Sequence, residues 1–62
     1  MNSREILKRL IEDGWYEVGQ AGSHKQLKHE IKPGRVTVPH PKKEVPIGTI
    51  KSIEKQASLK LR

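Results

Sequence analysis

Sixty-two residues, 32% apolar, with no cysteine and no phenylalanine, leave room for one small domain, residues 1–62, and exclude a disulfide framework or a thiolate zinc site. The net charge of +6 is uneven: residues 1–20 balance to −1 (Arg4, Lys8 and Arg9 against Glu5, Glu12, Asp13 and Glu17), and residues 21–62 to +7 (ten Lys and Arg against Glu30, Glu44 and Glu54). No apolar run nears the roughly 20 residues of a membrane span, and Met1–Glu5 lacks the apolar region of a signal peptide, so the expected location is cytoplasmic and the expected partner of the basic stretch is a polyanion, nucleic acid first.

In chain order, Asn2 followed by Glu5 has the spacing of a capping box. Ile6, Leu7, Leu10 and Ile11 recur at helical spacing, with Lys8, Arg9 and Glu12 largely opposite. A first helix is therefore expected over about residues 3–13, stopped by Asp13-Gly14. Trp15-Tyr16-Glu17-Val18 is rich in strand formers, and Gly19-Gln20-Ala21-Gly22 is expected to break it and turn the chain. His24 to Ile31 alternates as a second strand, with Leu27, His29 and Ile31 on one face and His24, Gln26, Lys28 and Glu30 on the other. Lys32-Pro33-Gly34-Arg35 suits a type II turn. Val36-Thr37-Val38 follows as a third strand with Val36 and Val38 inward, ended or edged by Pro39.

Three prolines and two lysines between Pro39 and Pro46 mark a constrained loop. Ile47, Ile50, Ile53 and Ala57 then form a second apolar stripe, giving a helix from about Pro46 to Ala57, with Leu59 and Leu61 packing as a tail. The expected fold is α+β, in the order α-β-β-β-α: a three-stranded antiparallel sheet with both helices on one face. This is the topology of a double-stranded-RNA-binding domain. The expected core joins Ile6, Leu10, Ile50 and Ile53 to Leu27, Ile31, Val36 and Val38, with Trp15 packed against the helices.

Among residues able to carry chemistry, His24 stands out. Histidine exchanges protons near neutrality without help from its surroundings, and this one follows Gly22-Ser23 on the basic part of the chain. A lone loop histidine is more often plain surface, and Gly-Ser-His by itself is weak. His29 faces away from His24 on a regular strand and reads as half-buried packing. His40, between two prolines, lies nearer His24 but reads as structural or merely exposed. The spacing of the three histidines matches no zinc signature, and the seven scattered acidic residues suit no magnesium site.

The chain resembles the HicA-type mRNA interferase toxins of bacterial toxin–antitoxin pairs. The resemblance rests on Gly14-Trp15 after the first helix, Gly22-Ser23-His24, the run from Arg35 to Pro39 with His40 behind it, and Ile47-Gly48-Thr49-Ile50 opening a helix that continues Ile53-Glu54-Lys55-Gln56-Ala57. It spans nearly the whole chain. It implies the toxin of a type II system, an endoribonuclease with His24 as catalytic histidine; the scattered acidic residues make the expected enzyme metal-independent. It also implies a HicB antitoxin as partner, which would touch DNA through a domain of its own.

The residue chemistry suits that reading. RNA carries its own nucleophile, the 2′-hydroxyl, so an enzyme needs a base, an acid for the departing 5′-oxygen, and positive charge for the developing phosphorane. The products expected from these residue types are a 2′,3′-cyclic phosphate and a 5′-hydroxyl, with no cofactor. Ser23, Lys25, Lys28, Arg35, Lys42, Lys43 and Lys51 are the candidate RNA contacts, against the plainer reading of solvated lysines kept for solubility. An acidic partner covering His24 and meeting these cations is the expected inhibitor. The alternative is a non-catalytic double-stranded-RNA-binding module on the same fold. A helix-turn-helix DNA binder is disfavoured by the three-strand centre.

Overall fold

Local sequence signals become structure at both ends of the first helix. In the computed structural model, which describes residues 1–62, helix α1 covers Ser3–Glu12. Asn2 Oδ1 accepts from the Glu5 amide at 2.8 Å and Glu5 Oε1 accepts from the Asn2 amide at 3.1 Å, which completes the capping box. Ile6, Leu7 and Leu10 form the buried stripe. Ile11, at its margin, is 53% exposed.

Three strands follow: β1 over Tyr16–Ala21, β2 over His24–Lys28 and β3 over Val36–Pro39. Helix α2 covers Ile47–Ala57. The sheet is antiparallel in the order β1-β2-β3. Leu27, Val36 and Val38 share one sheet face and join Ile6, Leu10, Trp15, Ile50, Ile53 and Ala57 in a single cluster, so both helices cover the same face. The expected α-β-β-β-α arrangement is the one found. Leu61 is buried in the same cluster and Leu59 packs against it. That tail is fastened by Arg9, whose Nη2 donates to the Lys60 carbonyl, and by Glu54, whose Oε2 accepts from the Leu61 amide at 2.8 Å.

Three expectations need correction. First, β1 does not break at Gly19: it runs to Ala21 through a bulge between Glu17 and Gly19, and only Gly22 and Ser23 turn the chain. Gly22 has φ +60° and Ser23 does not share a positive φ, which fits a two-residue type II′ hairpin with glycine leading. The bulge leaves Val18 without a partner and 43% exposed. Second, β1 begins at Tyr16 rather than Trp15, whose side chain is buried in the core.

Third, Ile31 is not in the core. It is 87% exposed, because β2 ends at Lys28, opposite the first residue of β1. Beyond that point His29 takes over. Its Nδ1 accepts from the amides of Ile31 and Lys32 at 3.0 and 3.1 Å and turns the chain away from the sheet. With Nδ1 accepting, Nε2 carries the proton and donates to the Asp13 carbonyl at 2.8 Å. The ring stands edge-on to Trp15, centroids 5.2 Å apart. Gly14, at φ +103°, lies so close that a Cβ there would meet His29 Nε2 at 2.7 Å. The glycine that stops α1 is therefore also the one that admits His29.

Lys32 completes this clip. Its ammonium pairs with Asp13 Oδ2 at 2.6 Å and donates to the Ala57 carbonyl at 3.0 Å, tying the ends of α1 and α2 to the turn after β2. The Lys32 hydrogen bond, with its charge, holds the Asp13 carboxyl below its ordinary value of 3.8; the Trp15 indole adds more weakly, although its N–H is buried without a hydrogen-bond partner of good geometry. A lowered carboxyl pKa stabilises the fold above the unfolded value and loses that contribution as pH falls through the folded one. The stability difference between wild type and Asp13→Asn, measured by urea denaturation, should be constant from neutrality to about pH 4 and shrink below it.

Candidate active site

The Gly22-Ser23 hairpin fixes where β2 begins, and hence where His24 stands. His24 is the first residue of β2, paired with Ala21 on one side and Pro39 on the other, and its side chain is exposed. The turn is held from outside: the His40 amide donates to the Ser23 carbonyl at 2.7 Å. His40 is in turn fixed by Ser3, a polar residue only 2% exposed. The Ser3 amide donates to the Lys42 carbonyl and Ser3 Oγ accepts from the Lys42 amide, both at 2.9 Å. The same hydroxyl hydrogen-bonds His40 Nδ1 at 2.8 Å. His40 is thus a strut between the start of α1 and the hairpin.

This bracing shapes a groove of about 570 Å³. Ser23, His24 and Pro39 stand at the hairpin end; Pro41, Lys42 and Pro46 come from the loop; Thr49, Ser52 and Gln56 come from α2, above Ile53. Thr37 contributes from the free edge of β3, where its amide donates to Gln56 Oε1 at 3.2 Å. No carboxylate lines the groove. α2 starts beside it at Pro46 with no side-chain cap, so the N–H groups of its first turn are open to an anion. Pro41 and Lys42 also border a second hollow of about 450 Å³, lined by Arg4, His40 and Lys43.

The candidate RNA contacts separate into groups. Ser23, His24 and Lys42 line the groove, and Lys43 lies in the adjoining hollow. Lys25 points to the core-side face and pairs with Glu17 at 3.2 Å. Arg35 donates to Gln26 Oε1 at 2.6 Å. Lys28 is four residues from His24 at the far end of β2, roughly 13 Å along the strand. Lys51 is exposed on α2 and lines neither hollow. Arg4, Thr49, Ser52 and Gln56 escaped sequence reasoning. The last three share one helix face at i, i+3 and i+7, a polar pattern that looks like ordinary solvation until the opposing wall is known. No three His, Asp, Glu or Cys side chains converge as metal ligands would.

A small basic α+β protein with an exposed histidine at a braced hairpin, beside a groove free of carboxylates, is the class these features define. Residues 3–59 match the family of HicA toxins of bacterial toxin–antitoxin systems, and the chain belongs to that family. It is 32% identical to a chain in a solved structure described as a "HicA3 and HicB3 toxin-antitoxin complex", with a TM-score of 0.86 and both chains covered completely. No curated protein matches it. No helix is long and apolar enough to cross a membrane.

Ser3 offers a direct check on the bracing. Ser3→Ala leaves the Lys42 amide and His40 Nδ1 without their partner, and should lower stability by about 1–3 kcal/mol in chemical denaturation. It should also shift the backbone resonances of Ser23 and His24, some twenty residues away in sequence.

Proposed function

We propose that this chain is a type II toxin that acts as a metal-independent endoribonuclease on mRNA, with His24 as its catalytic histidine and a HicB-type antitoxin as its inhibitor. The observation that carries the reading is the placement of His24: exposed, fixed by the hairpin, and facing a groove without carboxylates in a chain of the HicA family. An imidazole can take the 2′-hydroxyl proton or supply one to the leaving 5′-oxygen, a contribution of about 10²–10⁴-fold. The 2′-oxygen attacks phosphorus and the bond to the 5′-oxygen breaks, leaving a 2′,3′-cyclic phosphate and a 5′-hydroxyl. Lys42 and the open first turn of α2 supply positive potential where charge develops on the phosphate.

Lys42 borders both hollows, which supports a strand path from the groove towards Arg4 and Lys43. Lys25, Lys28, Arg35 and Lys51 add long-range attraction rather than contacts at His24. The antitoxin reading rests on the family and on the matched complex. An acidic partner seated over the groove would exclude RNA and pair with Lys42 and Lys43, and DNA would be reached only through that partner.

Purified protein incubated with RNA in EDTA should cleave it. His24→Ala should abolish cleavage and toxicity while changing stability by no more than about 0.5 kcal/mol, because the side chain is exposed. RNA binding without cleavage by the wild type would support the non-catalytic binding module instead. Binding should weaken steeply with salt, and Lys42→Ala should reduce the slope of log affinity against log salt by about one.

A further inference from the structure

The groove has a second wall, and its chemistry differs from that of the first. Opposite His24, α2 presents Thr49, Ser52 and Gln56, all uncharged, above the apolar floor of Ile53. Prolines 39, 41 and 46 stiffen the remaining sides. Phosphate recognition calls for cations, whereas a nucleobase calls for fixed neutral donors and acceptors beside apolar surface. About 570 Å³ is within the range of a small-molecule site, about 300–1,000 Å³.

Gln56 is the fixed element. The main chain of Thr37 offers an N–H at the free edge of β3, so the Gln56 atom that meets it must be the amide oxygen. That contact resolves which way the side-chain amide points, and it aims the two Nε2 hydrogens away from β3. A glutamine free to rotate can match either an amino or a carbonyl edge. One whose oxygen is engaged by the backbone presents donors, and these suit the exocyclic carbonyl at position 4 of uracil or position 6 of guanine, where cytosine and adenine carry an amino group. An edge carrying an amino group would set donor against donor.

We propose that this groove is a base-recognition subsite for single-stranded RNA, in which Gln56 reads the exocyclic group at pyrimidine position 4 or purine position 6 and selects the carbonyl of uracil or guanine over the amino group of cytosine or adenine at the nucleotide next to the cleaved phosphate. The inference rests on the RNA reading given above and adds a substrate preference to it. A base can enter the groove only if it is unpaired and unstacked, as in loops and single strands. Thr49 and Ser52 adapt to the rest of the base because hydroxyls both donate and accept. Gln56 is here a specificity residue and takes no part in proton transfer.

The test uses RNA that cannot be cut, so that recognition and catalysis are read separately. Fluorescence anisotropy with 2′-O-methyl octamers of uracil, adenine or cytosine should show wild type binding the uracil octamer roughly two- to tenfold more tightly than the other two, the worth of one hydrogen bond. Gln56→Glu keeps an acceptor for the Thr37 amide, so its melting temperature should be unchanged. It replaces the two donors with an acceptor, so the order should reverse in favour of adenine and cytosine. The new negative charge alone would weaken all three octamers by one common factor. Equal binding of the three by wild type, or a uniform loss in Gln56→Glu, overturns this inference and leaves the nuclease reading standing. Failure of wild type to bind any octamer, together with no cleavage of ordinary RNA, overturns both.

Discussion

Ser3 is the contact on which the candidate site depends. One residue, almost wholly buried at the start of α1, closes a double hydrogen bond with Lys42 and hydrogen-bonds His40 through its hydroxyl. His40 then holds the Ser23 carbonyl. A loop rich in proline cannot be fastened through a full set of its own amides, since each proline lacks an N–H. It is fastened instead from outside, by a helix N-terminus far away in sequence. Remove that fastening and the groove loses the wall on which Lys42, Pro41 and Pro46 stand.

A core of twelve side chains is small, and the polar clips compensate by closing places where the apolar cluster ends. At one pole Ser3 and His40 join α1, the loop and the hairpin. At the other, Asp13, His29 and Lys32 join α1, the turn after β2 and the end of α2. The two histidines that do not face the groove are each spent on a clip, His29 through both ring nitrogens and His40 through Nδ1. His24 alone of the three is left with an exposed ring at a groove.

Much of the fold was legible because it follows from local pattern. Asn2 and Glu5, the stripe from Ile6 to Leu10 and the stripe from Ile50 to Ala57 specify the helices, and Val36 and Val38 specify the inward face of β3. The misreadings have physical causes. Gly19 looked like a turn because glycine is rare in strands, yet here it sits beside a bulge, another place where glycine is at home. Ile31 continued the alternation of β2 on paper, but alternation cannot tell how far a partner strand extends, and β1 starts opposite Lys28. His24 stood out from its motif, and the fold sets it at the hairpin end of the groove. The opposite wall did not, because Thr37 meeting Gln56 across 19 residues is set by how α2 crosses the sheet edge and leaves no signature at either residue.

The bulge in β1 has a consequence for how the protein behaves in a crowd of its own copies. β3 is shielded at its free edge by Gln56, but β1 lies exposed along its length and offers unpaired amides and carbonyls to any passing strand. Such an edge invites ribbon-to-ribbon stacking and, in time, fibrils. Two residues set against one at Glu17–Gly19 break the repeat that a stacking strand would have to follow. A second copy could pair with one half of β1 or the other but not keep step through both. The irregularity that hid this strand from a reading of its sequence thus also guards the monomer against aggregation.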